Sequence, residues 1–457
     1  MKFFKSQYSL DFEAPIWEND PELFLMDKIL ENNPDIIMQA AACFPKARDE
    51  RDAPVGRDGM TLEQIVRCAI YKFHKGLTWR GLSEHTEDSK KGRVFMKMAF
   101  GRYFSHQTLQ ENISKINCEV LEQIHLAVCK HAIELDVENG KSVRSDSTVI
   151  ETNIHHPTNA SLLWDCIRVS CRLLKSVGEL FNKVVKFRSY QKVGKKTLFK
   201  IVNTKGRDKR LPLFKKMLKY QRACINQVQE AIEKLSSCTF EDAQQEKQRS
   251  ALLEELNALL PKMEQVLDVA HRREILDEPV PVEEKLFSIF EDHTDCIVKG
   301  SRETKFGHKI NFTSGKSNMI LDCILERGNP ADSSFFKPTI ENLGSNLDIL
   351  PKNTACDGGY ASKANTAYAQ AKGIVNIVFN KVRGTQQNIT TSKKMETLLK
   401  KWRSGMEAII SNFMRGLKAS VCNWKGWEAF QSFVMWGVIT FNLRVLARAI
   451  FARLASA

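Results

Sequence analysis

The chain has 457 residues, and its 68 Lys and Arg against 54 Asp and Glu leave a formal net charge of +14. That length allows two to four domains with a large core, and the charge points to a polyanionic partner, nucleic acid ahead of an anionic membrane surface, without informing on fold. Twelve cysteines lie singly between Cys43 and Cys422 with no C-x-x-C pair, and Met1–Gln7 runs into acidic, Pro-containing sequence with no secretory apolar region; a reducing cytosol, with thiols as small buried apolar groups, is expected.

From Thr61 the apolar residues Leu62, Ile65, Val66, Ile70 and Phe73 recur every three to four positions up to Gly76, which predicts an amphipathic helix. Thr78 caps a short helix through His85, and Ser105 caps a long one from about His106 to Leu135. Short helices on tight turns fit a helix-turn-helix arrangement or an all-helical packing or dimerisation module, and the pattern alone leaves both open. Ser142 to Ile150 alternates with β-branched residues and reads as a strand with Asp146 within it or at its end.

From Ala160 to about Val282 the pattern is helical again. Ile225, Val228, Ile232 and Leu235 form one stripe, and Leu252, Leu256, Leu260, Met263 and Leu267 form another, as in an antiparallel hairpin turning at Ser236-Ser237-Cys238. Beyond Pro281, strands are expected at Lys305–Phe312 and Asn318–Glu326, a helix at Phe336–Leu343, a strand in Ile349–Asp357, a helix at Ser362–Ala371 and a strand in Ile374–Phe379. Such alternation implies a mixed α/β sheet, with Asp357 at the carboxyl end of its strand, where open sheets place their sites.

From Lys401 onward the chain reads as helix. Its most apolar part, Phe433–Phe441, is far short of the ~20 residues that span a bilayer and is expected to be a core helix. On a continuous helix Arg403 and Glu407 share a face, and Lys418 returns to within ~20° of Glu407.

Asp146-Ser147-Thr148-Val149-Ile150-Glu151-Thr152, Asp357-Gly358-Gly359-Tyr360 and Arg403-Ser404-Gly405-Met406-Glu407 together offer three ordered carboxylates. In-line chemistry at a phosphodiester needs both the attacking and leaving oxygens stabilised, which two hard cations do well, and Mg2+ or Mn2+ prefers oxygen ligands. Each piece has a plainer reading: Asp146 as a surface strand residue, Asp357 as an Asp-Gly turn residue, Arg403 with Glu407 as an ordinary helical pair. Glu428 is a rival third acid, set in tryptophan-rich sequence that reads as packing. Only the ordered set raises the catalytic reading above these.

Lys183 to Arg222 holds fifteen Lys and Arg, including Lys195, Lys196, Lys209 and Arg210, against the single acid Asp208, with Phe187, Tyr190, Phe199 and Phe214 interleaved. Such a tract suits phosphate contact, the plainer reading being a charged, solubilising insertion. His155 and His156, adjacent on extended chain, point to opposite sides and do not readily share an ion, even with His308 as a third ligand.

On these motifs the chain resembles the DDE transposases of bacterial insertion sequences, in the branch with an InsH-like N-terminal helical domain. The resemblance runs over almost the whole length: the helical region with Thr61 to His85 and Ser105 to Asn117, the stretch from Asp146 to Thr158, Asp357-Gly358-Gly359-Tyr360, the Arg403-x-x-x-Glu407 helix and Asn442-Leu443. It implies a ribonuclease-H-like mixed-sheet α/β core with two divalent metals, Mg2+ or Mn2+, on Asp146, Asp357 and Glu407. It departs from the family at Lys400, where a tyrosine is usual, and at Met414, where a lysine is usual.

The resemblance further implies a helical DNA-binding domain at 1–140, a catalytic core from 141–159 and 283–457, and a basic helical insertion at 160–282. The expected activity is cleavage at the element's terminal inverted repeats and transfer of the ends to target DNA, by a homodimer or larger assembly in the bacterial cytoplasm, on the nucleoid and without a membrane. Arg403, Lys418 and the tract residues Lys195, Lys196, Lys209 and Arg210 are the expected DNA contacts. The alternatives are a catalytically silent, transposase-derived DNA-binding protein and an RNase H-like nuclease without strand transfer.

Overall fold

The computed structural model describes residues 19–44, 59–182, 184–299, 303–380 and 388–456, so Met1–Gln7 and Lys183 lie outside the described residues. The chain divides into two compact units, one of Met1–Asn153 with Lys299–Ala457 and one of Ile154–Val298.

The strands are β1 (Ser142–Thr152), β2 (Asp295–Lys299), β3 (Glu303–Ser314), β4 (Ile320–Leu325), β5 (Asn353–Asp357), β6 (Asn376–Asn380) and the two-residue β7 (Val421–Cys422). In the first unit β1 is central. It runs antiparallel to β3, with Asp146 opposite Phe312, and β3 runs antiparallel to β4. The other edge of β1 is parallel to β5, with Ser145 opposite Cys356, and β5 is parallel to β6. The order β4-β3-β1-β5-β6 is therefore mixed, and β7 adds a short parallel pairing at Glu151 and Thr152. Alternation along β1 sends Arg144 and Asp146 to one face and Ser145 and Ser147 to the other.

The N-terminal helices share one hydrophobic cluster with the sheet and the last helix, from Leu23 and Ile65 through Phe312 to Trp436. The helix expected from Thr61 to Gly76 runs over Leu62–Lys75 and ends at Gly76 with φ of 60°; it opens on a Thr61/Gln64 capping box. The expected long helix from His106 is instead two, His106–Ile113 and Cys118–Glu134. Asn117 restarts the second by accepting from the Val120 N–H, while Ile113 and Ile116 both stay buried, so the apolar period hides the break.

The expected continuous helix after Lys401 is also broken, into Lys393–Ser404, Met406–Gly416 and Trp427–Ser456. The last is long and apolar enough to cross a membrane by length and composition, yet 72% of its apolar window is buried within the protein. Its Asn442 behaves like a strand partner, taking the Ile320 N–H at 2.8 Å and donating to the Ile320 carbonyl at 2.7 Å.

The second unit packs helices Asn159–Leu180, Gln191–Asn203, Arg207–Ser236 and Ala243–His271 around a separate core that includes Leu163, Ile167, Val228, Leu256 and Met263. The stripes expected on the last two helices supply much of that core, which is why a basic segment nevertheless folds.

One buried acid gives the first unit a pH dependence. Asp322 on β4 accepts from Asn342 Nδ2 at 3.1 Å, and burial pushes its carboxyl up to about 7. Unfolded, it ionises near 3.9. A raised carboxyl favours the fold while protonated, so its contribution is full below about pH 4 and is lost as pH rises through 7. Urea titrations from pH 4 to 8 are expected to show stability falling by a few kcal/mol from this group, and Asp322→Asn is expected to flatten the slope. An equal slope in the variant would assign the effect elsewhere.

Candidate active site

Asp146 lies midway along β1, and Asp357 closes β5 one residue beyond the Ser145–Cys356 pairing. Neighbouring parallel strands thus bring two carboxylates, 211 residues apart in sequence, side by side in the middle of the sheet. The Lys393–Ser404 helix lays Leu399 on Ala355 and Val378, and so delivers Arg403 from its last turn.

Arg403 is where the expected acids meet. Its Nη2 lies 2.7 Å from Asp146 Oδ2 and 3.5 Å from Asp357 Oδ1, and its Nη1 lies 3.6 Å from Glu407 Oε1. The Arg403 side chain is 7% exposed, against 16% for Asp146, 40% for Asp357 and 74% for Glu407. The Arg403 Nε is buried without a hydrogen-bond partner. Arg403 and Glu407 reach one another across the junction at Gly405, from two helices rather than one.

The sequence reading missed the residue that builds this junction. Arg144 shares the Asp146 face of β1, donates Nε to Ser314 Oγ at 3.2 Å and Nη1 to the Trp402 carbonyl, and lies 4.8 Å over the Trp402 ring. Burial lowers its guanidinium to about 10, leaving it charged at neutral pH. A Cβ on residue 405 would run into Arg144 Nη1, so glycine lets the two helices meet without displacing that guanidinium. The available signal was an arginine two positions before Asp146 in a strand, hence on the same face.

Asp332 was also missed. It accepts from Ser147 Oγ at 2.8 Å, sits 3.3 Å from Lys309 Nζ, and leaves room only for glycine at 359. Alternation puts Ser147 opposite Asp146, so Asp332 braces the far face of β1 and the Gly358-Gly359-Tyr360 turn. Tyr360, buried there, donates to Asn311 Oδ1 at 2.6 Å.

The helical continuity that put Lys418 on the Glu407 face is absent. The helix stops at Gly416, and Lys418, with φ of 52°, sets its aliphatic stem against Gly76. Glu428 is exposed at the start of the last helix. His155 Nε2 pairs with Asp165 at 3.3 Å, and His308 is buried edge-on to Trp427 and Phe430. Lys195, Lys196, Lys209 and Arg210 are all exposed in the second unit. As the side chains stand, no group of three or more His, Cys, Asp and Glu among the described residues is spaced to hold a metal ion.

Chemically, the arrangement is a group of three carboxylates neutralised by one internal cation, with Asp146 and Asp357 on its Nη2 and Glu407 on its Nη1.

Residues 297–443 match the family described as the transposase DDE domain. That stretch includes Asp357, Arg403 and Glu407 but stops short of Asp146, whose membership of the site rests on the 2.7 Å contact with Arg403. No curated protein and no solved structure matches the chain.

Proposed function

We propose that the chain is a DDE transposase of a bacterial insertion sequence, of the InsH-like branch, with a ribonuclease-H-like core. It cuts DNA at the terminal inverted repeats of its own element and joins the freed ends to target DNA. The observation that carries this reading is the convergence of Asp146, Asp357 and Glu407 on Arg403, beside a sheet of three antiparallel strands continued by two parallel ones.

The all-oxygen donor set fits Mg2+ or Mn2+, and Asp146, Asp357 and Glu407 would hold the two ions. The ions would supply Lewis-acid stabilisation of the attacking and leaving oxygens. Arg403 offsets negative charge at the phosphate, and Arg144 positions it through Trp402. The helices of residues 1–140 and the basic insertion at 160–282 grip the duplex, the insertion through Lys195, Lys196, Lys209 and Arg210; Lys418, exposed on the core at 141–159 and 283–457 beyond the end of the Glu407 helix, is a further phosphate contact. Two ends must be brought together, so the working assembly is a homodimer or larger, cytoplasmic and on the nucleoid.

One observation favours a second reading. Arg403 fills the point where the acids meet, as it would in a silent, transposase-derived DNA-binding protein. Magnesium-dependent cleavage of a duplex carrying the element's terminal sequence separates the two, with wild type and Glu407→Gln side by side. Cleavage by wild type alone is expected. Cutting by both would shift the third acid to Glu428, and binding without cutting by either would leave the silent reading.

A further inference from the structure

The Gln191–Asn203 helix turns Gly194, Thr197 and Ile201 into the second unit's core. At 100° per residue the side opposite these three is centred on Phe199. Phe199 is 71% exposed there and Val202 71%, so burial in this fold explains neither. Lys192, Lys195, Lys196 and Lys200 flank Phe199 on both sides, all exposed.

The other aromatics of the basic tract are accounted for by packing. Phe214 is buried, Tyr190 stacks on Tyr220 at 5.6 Å, and Phe187 lies 5.7 Å below Lys234 Nζ. Ion pairing divides the unit in the same way. Arg168, Lys175, Lys234, Arg249, Lys262 and Arg272 each face a carboxylate. Among the described residues, none of the four ridge lysines has an ion-pair partner. This ridge combines unneutralised charge with an apolar ring that the fold leaves in water.

We propose that the ridge is a duplex-DNA docking element in which the lysines hold the phosphates and the Phe199 ring stacks on bases at an opened step. The proposal rests on the DNA-acting reading above and adds a base contact to it. A helix with side chains is about 10–12 Å across, which fits a major groove of about 12 Å but not a minor groove of about 6 Å, where only a crest side chain enters. Apolar wedges of this type unstack and bend the duplex. The crest has no arginine, and its amide Asn203 is tied to the Phe199 carbonyl at 2.7 Å; stacking on the Phe199 ring, which every base can do, adds a contact that does not depend on base sequence. The exposed apolar side chains of this helix, Val193, Phe199 and Val202, stand apart amid lysines and make too narrow a face for membrane insertion.

The test uses the full chain and a short mixed-sequence duplex with dyes at both ends, following affinity by anisotropy and bending by energy transfer across a salt series. Phe199→Ala, exposed enough to leave the fold intact by circular dichroism, is expected to weaken binding roughly tenfold and to abolish bending with an unchanged salt slope. Lys195→Gln with Lys196→Gln and Lys200→Gln is expected to reduce the slope by about three. Phe199→Ala binding and bending as wild type, while the lysine variant weakens, would overturn the base contact and leave the DNA-binding reading intact. Neither variant differing from wild type would overturn the ridge altogether. Binding to anionic phosphatidylserine vesicles that depends on Phe199, without any to duplex, would replace DNA with a lipid surface.

Discussion

Asp146→Asn is expected to lower magnesium-dependent strand cleavage by on the order of 10³-fold or more, and Arg403→Gln to make the stability of the chain depend on a divalent ion. Both follow from the shared guanidinium. Asp146 and Asp357 meet on a single nitrogen of a side chain that is 7% exposed, so removing that charge turns their common attraction into repulsion. Glu407, at 74% exposed, adds little because solvent screens it. The loss from Arg403→Gln is therefore expected at about 2–3 kcal/mol, below the 3–5 kcal/mol of a fully buried broken pair.

Magnesium reverses that loss if the same oxygens bind it. An ion at 100 times its dissociation constant stabilises by about 2.7 kcal/mol, enough to restore the variant. Wild type gains less, because the acids must exchange Arg403 for the ion. Urea unfolding of both proteins in EDTA and in Mg2+ measures the difference. An equal gain in both would show that the ion does not replace the guanidinium, and duplex cut by Asp146→Asn at wild-type rates would remove that aspartate from catalysis.

How far the sequence carried depended on whether a feature was local. The helix from Thr61 to Gly76, the strand around Asp146 and the strands on either side of Gly315 were legible because side-chain spacing and turn chemistry lie within a few residues. The breaks at Asn117 and Gly405 were not. In each case buried apolar residues continue on both sides, and at Gly405 the cause is Arg144, 261 positions away in sequence. Phe199 and Phe214 read alike within the same basic tract, yet packing buries one and leaves the other exposed. Of the acids, order along the chain was readable, but Arg403 as their common partner required the parallel pairing of β1 with β5 to be known.

The N-terminal helices are fixed by a buried charge cluster whose disruption is expected to cost more than any other single change outside the acidic site. Arg67, fully buried, pairs with Asp27 and with Glu63 Oε1 at 2.8 Å, donates to the Phe95 carbonyl at 3.1 Å, and lies over the Phe95 ring. Lys97 Nζ joins it, 3.1 Å from Asp27 Oδ1 and 2.5 Å from Glu31 Oε1. Asp27→Ala leaves two buried cations sharing fewer anions, and a loss of about 3–5 kcal/mol is expected. Asp27→Leu combined with Arg67→Met removes both charges and is expected to cost much less than the two single changes summed, which a double-mutant cycle in urea reads directly. Additive losses would mean that the two side chains do not act on one another. The cluster also sets an acid limit. Burial pushes the Glu31 carboxyl up, but hydrogen bonds from Lys28 and Lys97 outweigh it and hold the group at about 2. That depressed carboxyl stabilises the fold above about pH 4.5, and its contribution is lost as pH falls toward 2, so acid should loosen the N-terminal helices through Glu31, and Glu31→Gln should remove that part of the dependence.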